Sequence, residues 1–447
     1  MKRIVIRNAT VVNENVLALK DVLIVGQFIS QIGPTGSFVT FDDDQIIDAS
    51  GLHLLPGCID DQVHFREPGL THKGEIYTEA KAAVSGGITS YMEMPNTSPP
   101  ATTISLLEEK YSRAAEVSLA NYSFFMGTTN HNIDELLKVD PKNVCGVKVF
   151  LGSSTGDMLV DNKSTLDRIF AEVKTLIAAH CEDDPMIKQN LERYKSEYGD
   201  DIPMHFHHLI RSEEACYKSS SMAVELARKH NTRFHVLHIS TAKELELFSN
   251  DLPLEEKRIT CEACLHHLWF TNDDYETKGS FIKWNPAVKT RSDRDAIRNA
   301  VRNGTIDVIA TDHAPHTLDE KQSVYTKAPS GGPLVQHALV AMLEMYHQGV
   351  FSLELIAQKM AHNVATLFQI DRRGFIRPGY YADLVLVDLN KSQTVSRDNL
   401  YYKCGWSPFE GQTFKSSVIQ TFVNGHIVYD QGNFDESQKG QRMTFNR

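Results

Sequence analysis

Four polar residues alternate in the stretch IDDQVHFREPG: Asp60, Gln62, His64 and Arg66. Residues two apart in a strand point to the same side, so these four would share one face. An imidazole and a guanidinium on one wall of a cleft offer a metal ligand and a planar fork for a carboxylate. A histidine two residues before His64 would complete a metal pincer, but Gln62 stands there.

Comparable residues recur along the chain. Between about Leu54 and Arg373 lie eight short apolar runs: CIDDQVHF, TSYMEMPN, NYSFFMGT, CGVKVFL, TLIAAHC, RFHVLHIS, RITCEAC and IDVIATDH. Segments of helical periodicity separate them, among them SLLEEKYSRAAEV, SEEACYKSSSMAVELARKH and SDRDAIRNAVRNG. Eight such units predict an α/β fold, a (β/α)8 barrel of the TIM type. A doubly wound sheet, the competing architecture, would carry a Gly-rich phosphate turn after its first strand; REPG supplies none.

Active sites of such barrels form at the C-terminal ends of the strands. The unusual polar residues fall there: His64 and Arg66, Asn96, Lys148, His180, His238, then Asp312, His313 and His316. Imidazole with carboxylate suits zinc and similar divalent ions. Lys148, inside GVKVF, is where a bare ammonium is costly to bury. Burial lowers a lysine's pKa, and the neutral amine can take up carbon dioxide to form a metal-bridging carbamate. For an isolated lysine the alternative is snorkelling to the barrel mouth or pairing with an acid. Likewise Arg66 could pair with Glu67 or Glu93, and Asn96 could be a turn residue.

Both ends read as β structure. Residues 1–53 and 374–447 are expected to pair into a small β-sandwich domain flanking a barrel of residues 54–373. Asn424-Gly425 between β-rich runs is a hairpin signal. The formal net charge of −11 argues against nucleic acid or an anionic membrane as partner. Seven scattered cysteines read as reduced thiols, Cys261-x-x-Cys264 included, and no apolar run reaches membrane-spanning length. A cytoplasmic protein is expected. His205, His207 and His208 read as a solvated face; GSSTGD, after Lys148, reads as a loop bordering the site.

With these motifs the chain resembles the amidohydrolase superfamily, and within it the dihydroorotases, over essentially its whole length. His64-Phe65-Arg66-Glu67-Pro68-Gly69, Met94-Pro95-Asn96-Thr97 and Thr311-Asp312-His313-Ala314-Pro315-His316 carry the resemblance. Glu262, His266-His267-Leu268, Lys283-Trp284-Asn285-Pro286 and GFIRPGYYAD add to it. It implies one or two zinc ions: His64 and Asp312 on the more buried ion, His180 and His238 on the other, and Lys148 bridging as N6-carboxylysine. It implies Arg66, Asn96, Asn285 and His316 as substrate-binding residues and Asp312 as general base, then acid. The implied reaction is reversible cyclisation of N-carbamoyl-L-aspartate to dihydroorotate, in pyrimidine synthesis, by a homodimer with aspartate transcarbamoylase as a candidate partner. Two positions depart from the family pattern, Gln62 for histidine and Gln336 for glutamate. Alternatives are another cyclic amidohydrolase, acting on hydantoins, dihydropyrimidines or allantoin, or a catalytically weak scaffold for aspartate transcarbamoylase.

Overall fold

The computed structural model describes residues 2–152 and 156–447. All eight apolar runs are parallel strands: Cys58–Val63, Ile88–Glu93, Asn121–Phe124, Val147–Phe150, Ile177–His180, Phe234–Val236, Ile259–Cys264 and Val308–Ala310. They are buried almost throughout, as strands covered on both faces are. Met126–Gly127, just past the third strand, joins it to the fourth. The ring closes where Val63 bridges His313 and the His64 N–H donates to the His313 carbonyl at 2.7 Å. Below that point the Thr311 hydroxyl donates to Asp60 Oδ2 at 2.6 Å.

The first strand is not regular. Its register against the second slips between Asp60 and Val63, a bulge that places neighbouring side chains on the same side. Strict alternation therefore fails here, and Asp61 and Gln62 both reach residues of the seventh strand.

The expected helices are present as Ile104–Val117, Glu213–His230 and Arg291–Asn303. The last opens on a capping box between Thr290 and Asp293 and stops at Gly304, whose φ is 86°. Among the described residues no helix is long and apolar enough to cross a membrane.

Strands from both chain ends join one nine-stranded sheet, in which His53–Pro56 lies between Arg3–Asn13 and Leu384–Asp388. The two-residue period sorts its faces. Leu54, Leu384 and Leu386 share a cluster with Ile4 and Ile24, whereas Leu55, Val385 and Val387 belong to the barrel's own core. Asn424 and Gly425 both take positive φ, 52° and 74°, as the tight hairpin from Ser417–Val423 to His426–Asp430 requires.

Asp383 ties this sheet to the barrel. Its carboxylate pairs with buried Arg373, accepts the Asn424 N–H at 2.7 Å and takes the Asn121 amide from the third barrel strand at 3.2 Å. Replacing Asp383 with alanine leaves the Arg373 guanidinium buried without its anion. We expect a loss of about 3–5 kcal/mol, read by chemical denaturation; a loss below about 1 kcal/mol would refute this anchoring role.

Candidate active site

A cavity of about 240 Å³ opens at the C-terminal ends of the barrel strands. It brings together every residue expected at the site: His64, Arg66, Asn96, Lys148, His180, His238, Asn285, Asp312 and His316. Three of them pay for their aim with the backbone. Arg66, His238 and Asp312 have φ of 71°, 41° and 49°, a region costly for residues with a Cβ and found mostly at functional sites.

The ring nitrogens are sorted by their partners. His64 Nδ1–H donates to Asn96 Oδ1 at 2.8 Å, which leaves its Nε2 lone pair facing Asp312 Oδ1 at 3.2 Å. His180 Nε2–H donates to Glu182 at 2.8 Å, which leaves Nδ1 facing His238 Nε2 at 2.9 Å. Burial and the cations Arg66 and Lys148 hold the His64 imidazole well below its usual pKa, so it is neutral at pH 7. His238 is likewise held neutral, by burial and by His180 and Lys148.

Lys148, 1% exposed, sits beside these groups, 4.8 Å over the Phe150 ring, and its ammonium makes no hydrogen bond among the described residues. Burial brings its pKa down to about 8, so an appreciable neutral fraction exists near neutrality. The snorkelling and acid-paired alternatives do not hold. Burial also raises the Asp312 carboxyl to about 7, against the opposing pull of Lys148. Two pairs of lone-pair donors at ligand-to-ligand spacing, with an unpaired amine beside them, fit a divalent metal centre.

Gln62 has both ends of its amide engaged. Its nitrogen donates to Asp312 Oδ1 at 3.3 Å and its oxygen accepts from the Cys264 thiol at 3.5 Å. It stands beside the metal donors as a support for Asp312. Gln336 lies in a separate cavity with Tyr401 and Lys391, bonded to Asn399 and Tyr401, so that departure does not touch the site.

The opposite wall is cationic. Arg66 Nε donates to the Pro315 carbonyl at 3.0 Å, and its terminal nitrogen lies 3.0 Å from His316 Nε2. The acids that could have claimed it are taken: Glu93 by Lys110 at 2.6 Å and Glu67 by Arg113 at 2.7 Å. Arg66 thus has no ion-pair partner among the described residues, and burial lowers its pKa to about 10. Asn285 Oδ1 is buried without a partner.

Three supporting groups escaped the sequence reading. Glu182, fully buried, pairs with Arg211 and orients His180. Lys73 donates to His316 Nδ1 at 3.1 Å and pairs with Glu320. Cys264 secures Gln62. The one signal for Glu182 was its place two residues after a strand-end histidine. The histidine cluster needs correction: His205 is exposed, but His207 is buried, bonded to Tyr325 at 2.8 Å and to the Trp284 carbonyl at 2.6 Å, because its short helix packs under the Lys283–Pro286 segment. Cys261 and Cys264 are buried free thiols. Residues 153–155 of the GSSTGD loop lie outside the described residues.

A barrel with imidazole and carboxylate side chains gathered at its strand ends defines a class, and the comparisons agree. Residues 53–428 match the amidohydrolase family model, and the chain belongs to that family. Within it, relatives of similar sequence include dihydroorotases: one from Methanosarcina acetivorans is 33% identical over 92% of this chain and 89% of that protein, and one from Halobacterium salinarum 32% identical over 95% and 96%. The L-hydantoinase (dihydropyrimidinase) of Arthrobacter aurescens superposes with a TM-score of 0.92 at 25% identity, covering 99% of this chain and all of that one.

Changing Glu182 to glutamine removes the anion that holds His180 in its lone-pair-inward tautomer. Zinc affinity should fall about 10- to 100-fold, measured by chelator competition; unchanged affinity would show that His180 needs no such anchor.

Proposed function

We propose that the chain is a dihydroorotase, a zinc-dependent enzyme that interconverts N-carbamoyl-L-aspartate and dihydroorotate. The observation that carries this reading is Arg66: a buried guanidinium without a carboxylate of its own, in the same cavity as the metal donors. A fork left unpaired at that depth calls for an anionic substrate group. Dihydroorotate supplies a carboxylate; hydantoin and allantoin do not.

His64, His180, His238 and Asp312 would hold the metal, with Lys148, as a carbamate, bridging two ions. When bound, the metal supplies Lewis acidity, polarising the ring amide carbonyl and lowering the pKa of water. Asp312 takes the proton of the attacking water and returns it to the ring nitrogen as that bond breaks. Arg66 and His316 grip the substrate carboxylate, and Lys73 fixes the His316 ring. Asn96, whose oxygen is committed to His64, offers its amide nitrogen to the substrate. Asn285 turns an unpaired oxygen toward a substrate N–H.

Steady-state assays with dihydroorotate, hydantoin and allantoin test the reading; turnover of the latter two alone would sink it. Arg66→Met should lower kcat/KM for dihydroorotate by about 2–5 kcal/mol, mostly through KM. Lys148→Ala should lose metal and activity together, with partial rescue by a short carboxylic acid standing in for the carbamate; loss without rescue would count against carboxylation.

A scaffold with weak catalysis is the second reading, and Gln62 favours it. Metal analysis beside the same assay separates the two: bound zinc with turnover supports the enzyme, and neither supports the scaffold. Gln62→His adds an imidazole where the amide now braces Asp312. If metal content and rate stay unchanged, Gln62 does not occupy a ligand position.

A further inference from the structure

Beneath the cavity, inside the barrel, Asp61, His235 and Glu262 converge from the first, sixth and seventh strands. All three are 0% exposed. His235 Nδ1 lies 2.8 Å from the Thr260 hydroxyl oxygen, and that hydroxyl turns its own proton to the Phe234 carbonyl at 3.4 Å. The ring must therefore donate from Nδ1, and its Nε2 points at Glu262 Oε2, 3.3 Å away, and at Asp61 Oδ2, 3.5 Å away. Both oxygens of Asp61 are buried without a hydrogen-bond partner.

A neutral ring would aim a lone pair at two ionised carboxylates in a dry interior, an arrangement that a proton on one of the three groups or an ion among them relieves. A proton on Nε2, which, against the cost of burial, the two carboxylates favour by raising the imidazole to about 9, is one solution, but charge-assisted N–H···O bonds run about 2.7–2.9 Å. Both contacts here are longer, and one proton cannot point at both oxygens. An ion joins all three groups at once. Zinc bonds of about 2.0–2.2 Å to N and O in tetrahedral array place neighbouring ligand atoms about 3.3–3.6 Å apart. The two measured separations fall in that range, and all three ligand atoms lie within 4.8 Å of one another. His235 also has the outer bond expected of a ligating imidazole, its far N–H held by a neighbour.

We infer that Asp61, His235 and Glu262 form a second, closed metal site, separate from the catalytic donors and suited to zinc or a similar divalent ion. Two carboxylates and a neutral imidazole balance a dication there, and Asp61 Oδ1 is spare to fill a further coordination position. The site has a mechanical link to the cavity above, because Glu262 Oε1 accepts the backbone N–H of His238 at 3.0 Å. An ion on Glu262 would stiffen the strand end that carries a catalytic-site histidine.

The test uses the full chain, purified without chelator. Anomalous diffraction at the zinc edge should show a peak among the three side chains, apart from any in the cavity. Mass-spectrometric metal analysis after dialysis against EDTA should find about one zinc fewer per chain in Asp61→Asn than in the unaltered protein. In His180→Ala that retained ion should remain. No peak among the three residues, or equal retained zinc in Asp61→Asn and the unaltered chain, would overturn the inference. If Asp61→Asn fails to fold, the diffraction result on the unaltered protein decides alone. Neither readout depends on substrate, so failure of the dihydroorotase reading would leave this result standing, and the reverse also holds.

Discussion

The seam between the first and eighth barrel strands is the constraint on which the rest depends. Parallel strands gain little from local turns, and closing the ring demands that the ends of a 250-residue excursion meet in register. Asp60 enforces it: one carboxylate oxygen takes the Thr311 hydroxyl and the other takes the Thr311 N–H, at 2.6 and 3.2 Å. Burial raises the Asp60 carboxyl to about 8, so its hydrogen bonds matter more than any charge it carries. Once this seam is set, His64 must face Asp312 and Arg66 must face His316, because each pair is carried just beyond it.

Charge is partitioned with equal care around the cavity. The barrel interior holds more ionisable groups than a barrel core ordinarily does, and isolated burial of any of them is costly. Lys110 neutralises Glu93, Arg113 draws Glu67 outward, and Arg211 anchors Glu182. Among the described residues Lys148 and Arg66 have no ion pair, and both stand inside the cavity itself, whereas Lys283, Lys321 and Lys359, also without an ion pair, are held by backbone carbonyls.

Much of this was legible in the chain. The eight strands, the helices between them and eight of the nine expected cavity residues follow from short apolar runs with polar side chains in or just after them, and Asn285 comes from the family resemblance alone. That pattern is local, and each run carries it independently. The roles of Glu182, Lys73, Cys264 and His207 were not legible, since each acts on a residue brought near only by barrel closure. Asp61 was hidden for a different reason: alternation assigns it to the opposite face from Gln62, and only the bulge turns both inward. A register slip of that kind leaves no mark in residue type. Gln62, read in the sequence as an altered ligand position, has its amide nitrogen on Asp312 Oδ1, a bond across the seam that residue type alone does not show.

The terminal sheet has a consequence for biosynthesis. The strand His53–Pro56 pairs on one side with Arg3–Asn13, but its other partner is Leu384–Asp388, more than 300 residues later. At about 5–20 residues per second, a ribosome needs roughly 15–65 s to deliver that partner. For that interval the growing chain presents an apolar strand edge, Leu54 and Leu55 included, with nothing native to cover it. The nascent barrel, or a chaperone, must shield it until the last strands emerge.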